Sequence, residues 1–164
     1  MFKGEKMIIV LGADHGGFEL KNIIKEHLKE RGTAPIFDEK GNQVQDKIKI
    51  VDLGTNSSDS VDYPSFGKAC GEAVASGKAN LGIVCCGTGI GISIAANKVK
   101  GIRCGLCTSV EMATLTKQHN NANMIALGGR TTSPELAIEI VDAWLDTKFE
   151  GGRHQRRVDM LDEM

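Results

Sequence analysis

Leu81-Gly-Ile-Val-Cys-Cys86-Gly-Thr-Gly-Ile-Gly91-Ile-Ser-Ile-Ala-Ala-Asn-Lys98 is the stretch whose reading decides the architecture of this chain. The short apolar run Leu81 to Cys85 reads as a strand and meets a second thiol, three alternating glycines follow, and a helical pattern begins at once. An apolar run without polar alternation reads as a strand buried on both faces, as in a parallel sheet covered by helices. Glycines carry no Cβ, so the loop backbone can approach a ligand closely. The first amides of the following helix have no intrahelical partner and form an anion-stabilising cradle. Cys86 and that cradle lie within the six residues Cys86 to Gly91. This pairing predicts chemistry on a small, negatively charged substrate.

Outward from this stretch, strand and helix signals alternate. Met7 to Leu11, Ile48 to Leu53, Ile102 to Leu106 and Met124 to Leu127 repeat the apolar-run pattern. Helical periodicity fills the intervals: Phe18 to Arg31 with Gly32 as its stop, Pro64 to about Gly77, Ile90 to Val99, and Val110 to Gln118. A further helix runs from Ser133, its expected N-cap, through Trp144, and a basic helix follows Gly151-Gly152 from Arg153 to about Met164. Five strands with crossover helices predict one α/β domain over residues 1–164, a doubly wound parallel sheet of flavodoxin type with helices on both faces. Thr33 to Lys47 is polar, carries Pro35, Gly41 and Asn42, and reads as a surface insertion with a small hairpin around Glu39 to Asn42.

Composition narrows the function classes. Twenty basic residues are balanced by twenty-one acidic ones, so there is no nucleic-acid footprint. No apolar segment reaches the ~20 residues that span a bilayer, and Met1 to Lys6 lacks a signal-peptide h-region. The expectation is a cytoplasmic protein. Five cysteines, an odd number with two adjacent, do not make a secreted disulfide framework. Cys104-Gly-Leu-Cys107 has C-x-x-C spacing, but it lacks a second ligand pair for zinc and lies on a strand, so buried small hydrophobes are the simpler reading.

Ligands in doubly wound sheets bind beyond the carboxyl ends of the strands. That rule gathers Asp14 and His15 after the first strand, Cys86 to Gly91 after the third, and Gly128-Gly129-Arg130 after the fifth. Each has a plain structural alternative. Asp14-His15 reads equally as a polar turn capping a helix. His27 reads as a partly buried structural histidine. The run His119-Asn-Asn-Ala-Asn123 reads as a helix C-terminus favoured by the dipole and capped by asparagine. Arg130, Arg153, Arg156 and Arg157 read as solvated charges. Expected convergence at the strand ends of a thiol, imidazoles and a carboxylate, with arginines in supply, favours a site. Gly87-Thr-Gly-Ile-Gly91 is not G-x-G-x-x-G, so dinucleotide binding has little support. A non-catalytic phosphate-binding module remains an alternative, although it would give Cys86 no task.

Gly12-Ala-Asp-His-Gly-Gly-Phe-Glu-Leu-Lys21, Asp62-Tyr-Pro64, Cys86 to Lys98, Gln118-His-Asn-Asn-Ala-Asn123 and Gly152-Arg-His-Gln-Arg-Arg157 together resemble the type B ribose-5-phosphate isomerases. Relatives of that family include allose-6-phosphate isomerases and the two-subunit galactose-6-phosphate isomerases. The resemblance runs from Met7 to the C-terminus, interrupted by the Thr33 to Lys47 insertion.

The resemblance implies an aldose–ketose isomerase of the non-oxidative pentose phosphate pathway that works through an enediolate without metal or organic cofactor. It implies Cys86 as the base that moves a proton between C2 and C1; the other branch of the family uses a glutamate at the position of Ile92. It assigns ring opening to His119 with help from Asp14, and charge stabilisation to Thr88 and the amides of Gly87, Gly89 and Gly91. Asn120 would orient the sugar. His15, Arg130, Arg153 and Arg157 match phosphate contacts, and His154 lies in the same run. Family members are homodimers with active sites between subunits, so the last helix is expected to reach a partner. A six-carbon sugar phosphate such as allose 6-phosphate is the alternative substrate.

Overall fold

The apolar runs assemble into one parallel sheet. The computed structural model describes residues 7–31, 36–37, 40–44 and 48–164. The elements are β1 (Met7–Ala13), α1 (Phe18–Arg31), β2 (Ile36–Phe37), β3 (Gln43–Val44), β4 (Ile48–Asp52), α2 (Tyr63–Ala75), β5 (Leu81–Cys86), α3 (Ile90–Asn97), β6 (Cys104–Leu106), α4 (Val110–Asn120), β7 (Met124–Gly128), α5 (Pro134–Asp146) and α6 (Arg153–Asp162). Five strands pair in the order β4-β1-β5-β7-β6, all parallel, and β2 pairs antiparallel with β3 as the small hairpin of the insertion. The expected leader Met1 to Lys6, the Gly32 stop and the rest of the insertion lie outside the described residues.

The strand order explains which helix covers which face. From β1 the chain steps sideways to β4, then reverses across β1 to β5 and on to β6, and finally turns back to place β7 between β5 and β6. Right-handed crossovers put helices made in opposite directions of travel on opposite faces. Accordingly one core joins Leu20, Ile24 and Leu28 of α1, Ala113 of α4, and Ala137, Ile140, Val141 and Trp144 of α5 to Ile9, Leu11, Ile83 and Ile125. The other joins Cys70 and Val74 of α2 and Ile92 and Ala96 of α3 to Val10, Val84, Met124 and Ala126. The outermost two strands are thus exchanged relative to the flavodoxin order.

Local signals were met where a side chain makes the cap. Ser133 Oγ accepts the Leu136 N–H at 3.2 Å, and Ser109 Oγ does the same for Met112 at 3.1 Å. Asn121 closes α4 with φ 44°, the left-handed cap its side chain tolerates. His27 Nε2 lies 2.8 Å from Asp142 Oδ1, tying α1 to α5, a structural use on a half-buried face.

Candidate active site

β5 runs one residue further than the apolar pattern indicated and ends at Cys86. Side chains alternate across a strand, so the two thiols face apart. Cys85 joins the core beneath α1, and Cys86 joins the core on the α2 and α3 side. Burial pushes the Cys85 thiol up, together with like-charge repulsion from Cys86. Burial also raises Cys104, Cys70 to about 12 and Cys107 to about 12. Those four thiols are held in the protonated, inert form. Cys104 and Cys107 belong to different sides of the sheet, in keeping with a packing role for each.

Cys86 is 4% exposed, and its Sγ accepts the Gly89 N–H at 3.1 Å. An amide donor is thus aimed at the sulfur at the head of α3. Gly89 precedes α3 with φ +80°, a left-handed turn that an L side chain rarely adopts. Thr88 is exposed, and its Oγ1 accepts the Ile90 N–H at 3.2 Å.

Two other loops are joined to this one through backbone. Gly129 N–H donates to Cys86 O at 2.8 Å, Arg130 N–H to Gly87 O at 2.9 Å, and Asp14 N–H to Cys85 O at 3.3 Å. The loops pass so closely that a Cβ on Gly17 would overlap the Cys85 backbone and one on Gly129 the Gly16 carbonyl. Asp14 is buried, and its Oδ1 accepts the Gly17 N–H at 3.1 Å. His15 Nδ1 stands 3.2 Å from both the amide nitrogen and the carbonyl oxygen of Val61, so its tautomer sets which of them it pairs with. The Arg130 guanidinium lies over Gly87, its Nη1 3.0 Å from where a Cβ would stand. Asp14, His15, Cys86 to Gly91 and Arg130 therefore share the carboxyl rim of the sheet.

A buried ion pair supports that rim. Lys21 Nζ, 1% exposed, donates to Asp52 Oδ1 and Oδ2 at 2.8 and 2.9 Å and to Thr55 O at 2.8 Å. Burial alone would raise the Asp52 carboxyl, but its hydrogen bonds from Lys21, the Gly54 amide and Lys25 outweigh it and hold the group below its ordinary value. The loop so fixed exchanges bonds with Ala13, next to Asp14: Ala13 N–H to Gly54 O and Thr55 N–H to Ala13 O, both 2.7 Å.

His119, Asn120, Arg153 and Arg157 are elsewhere: of the site imidazoles expected at the strand ends, His15 stands there and His119 does not. α4 starts after the carboxyl end of β6 and runs back, so its last residues sit at the amino rim, just before β7. Register pairs Met124 with Gly82 and Cys86 with Gly128, so the two rims are separated by four residue steps, ~13 Å along the strands. They are separated across the sheet as well, since α4 packs on the α1 and α5 face whereas Cys86 faces α2 and α3. Within one chain His119 cannot reach Cys86.

The amino rim has its own construction. His119 stacks on His154, ring centroids 4.3 Å apart and planes 12° from parallel. His154 and Val158 are the buried face of α6, whereas Arg153 and Arg157, also four residues apart, project from it exposed. Burial, then His119 and Arg153, lower the His154 pKa. Arg103 holds the assembly together: Nη1 donates to Asp162 Oδ1 at 2.6 Å, Nε to Asn120 O at 3.0 Å, and Nη2 to Asn121 O at 3.0 Å. Sequence reasoning missed Arg103, whose spacing carries no signal, and Glu150, which lies 3.5 Å from His154 Nε2. It also gave no role to Tyr63, the chain's single tyrosine, whose ring covers Gly91.

The chain is similar to known proteins over most of its length. The Ribose/Galactose Isomerase family profile matches residues 9–161. The chain is 46% identical to ribose-5-phosphate isomerase B of Escherichia coli over 153 residues, 93% of each protein. It is 48% identical to ribose-5-phosphate isomerase B of Clostridium thermocellum, with a TM-score of 0.85 over 96% of both chains. The Mycoplasma genitalium ribose-5-phosphate isomerase B structure with bound ribulose-5-phosphate superposes with a TM-score of 0.83 at 40% identity, covering 96% of this chain and 95% of that one. Fold, site loops and end-to-end similarity agree, and the chain belongs to the ribose/galactose isomerase family.

Proposed function

We propose that the protein interconverts ribose 5-phosphate and ribulose 5-phosphate, with Cys86 as the base, in a homodimer whose two active sites each combine the carboxyl rim of one protomer with the amino rim of its partner. The observation that carries this reading is the Cys86 sulfur, seated on the Gly89 amide at the head of α3 beside Asp14, His15 and Arg130.

Each step draws on a group with suitable chemistry. Arg153 and Arg157 of one chain, with His15 and Arg130 of the other, hold the phosphate through charge-assisted hydrogen bonds. His119 takes the hydroxyl proton and returns one to the ring oxygen, opening the furanose, with Asp14 at the sugar hydroxyls. The Cys86 thiolate removes the C2 proton, the electron pair moves into an enediolate, the C2 hydroxyl proton passes to O1, and the proton held on sulfur returns to C1 as O2 becomes the ketone oxygen. Thr88 and the amides of Gly87, Gly89 and Gly91 stabilise the oxyanion, and Asn120 orients the chain. No net oxidation occurs, because C2 is oxidised to the ketone as C1 is reduced to the alcohol.

Support for the dimer comes from what one chain leaves uncovered. Ile90 and Ile94 on α3 are 51% and 55% exposed, one turn apart and beginning at the site loop. Val110, Met112 and Leu115 are exposed on α4. Apolar side chains left exposed on α3 and α4 fit a subunit contact.

A coupled assay with ribose 5-phosphate, allose 6-phosphate and galactose 6-phosphate tests the substrate. The expected result is the highest kcat/KM with ribose 5-phosphate, because a fixed span between Cys86 and the arginines misplaces C2 of a longer chain, and ~1 Å of displacement costs ~10²-fold. A higher value with allose 6-phosphate would replace this reading with the six-carbon one.

A further inference from the structure

We propose that His119, Glu150 and His154 form a three-ligand site for a divalent transition-metal ion of the zinc class, and that its occupancy inhibits the isomerase by taking His119 out of the reaction. The inhibitory half rests on the role proposed for His119; the metal site stands on geometry.

One ligand atom from each residue lies within 4.8 Å of the other two. Two imidazoles and a carboxylate are a donor set that suits zinc, with bonds of 2.0–2.2 Å and a fourth position left to solvent or a phosphate oxygen. Ligand atoms around such an ion stand about 3.4 Å apart, as that bond length requires for a tetrahedron. The His154 Nε2 to Glu150 Oε2 distance, 3.5 Å, already meets this. The His119 ligand atom lies within 4.8 Å of the other two, and turning its ring out of the stack on His154 would fan the two rings toward a common point. Chain connectivity restricts all three. Glu150 is tied to the end of α4 through its own amide, which donates to Gln118 O at 3.1 Å, and His154 is anchored on the buried face of α6. Arg153 and Arg157 oppose a cation, whereas the Glu150 carboxylate attracts it. The same lone pair of His119 cannot both hold a metal and move a proton.

The test uses the full chain dialysed against chelator. Calorimetric titration with Zn²⁺ is expected to show one site per chain. Glu150→Gln should weaken it at least about tenfold, a loss typical even of residues that only support metal ligands. His154→Ala should abolish it, and Cys86→Ser should leave it intact. Unchanged binding in both Glu150→Gln and His154→Ala, or binding lost in Cys86→Ser, would overturn the site and assign the metal to the thiol. In the ribose 5-phosphate assay Zn²⁺ should inhibit reversibly on chelation. Glu150→Gln should keep the metal-free turnover and need at least about tenfold more Zn²⁺ for half inhibition. Zn²⁺ bound at these residues without loss of turnover would overturn the inhibitory half and, with it, the role given to His119.

Discussion

The two rims of the sheet are built by different means. At the carboxyl rim, backbone meets backbone: Gly129 and Arg130 donate to the Cys86 and Gly87 carbonyls, and Asp14 to the Cys85 carbonyl, through glycines that leave no room for a Cβ. At the amino rim, side chains do the joining: the His119 and His154 stack, and the Arg103 fork onto Asn120, Asn121 and Asp162. The base proposed at Cys86, seated on a fixed amide, suits the first construction, and the groups proposed to follow a phosphate and a ring-opening sugar suit the second. The difference teaches that the proposed active site joins two rims of unlike construction, one made by backbone and one by side chains.

The largest expected effect breaks the carboxyl rim. Cys86→Ala should lower kcat by ~10²–10⁴-fold or more, while Cys85→Ala, on the opposite face of the same strand, keeps most of it. Steady-state kinetics on both variants checks this. The same variant tests whether the rims work in trans. Cys86→Ala and His119→Ala chains, each inactive with ribose 5-phosphate, should recover about a quarter of wild-type activity when refolded together in equal amounts, since half the dimers are mixed and each has one intact site. No recovery, with mixed dimers shown by tagged pull-down, would place both rims in cis and remove the comparison.

Next comes the amino rim. His119→Ala should lose ~10²-fold or more starting from ribose 5-phosphate and much less starting from ribulose 5-phosphate, which has no furanose to open. Equal losses would move His119 to the enediolate step.

Lys21→Met probes the support beneath the carboxyl rim. It should cost about 2–3 kcal/mol of stability in urea unfolding, less than the loss of a partner from a fully buried pair, because Lys25 and the Gly54 amide remain on Asp52. The sign with pH follows from the lowered Asp52 value. The ion pair stabilises the fold above the ordinary carboxylate range and is lost as pH falls through the folded-state value. Lys21→Met should therefore flatten the acid side of the stability profile, leaving the zinc affinity of the other rim unchanged. The smallest effect is at the phosphate. Arg157→Ala should raise KM about tenfold, the worth of one charge-assisted hydrogen bond.

Much of this was legible in the chain itself. Apolar runs of strand length placed all five sheet strands, and the ends moved by a residue or two: β5 gained Cys86, and β6 begins at Cys104, two residues after Ile102. The carboxyl rim was legible because its parts are local. A thiol, glycines and a helix start are neighbours in sequence, and the parallel-sheet rule brings Asp14 and Arg130 to them without knowledge of packing. The exchange of β6 and β7 was not legible, since strand order depends on how helices cover two faces and leaves no mark on any one strand. Nor was the separation of His119 from Cys86. Whether a helix end falls at one rim or the other depends on the direction the chain takes after its strand, and α4 carries His119 back to the amino rim. The sequence alone determined which residues match one motif set. Only the tertiary structure decided that one chain holds them as two separate groups, because they stand on opposite ends and opposite faces of a sheet too thick and too long for them to meet.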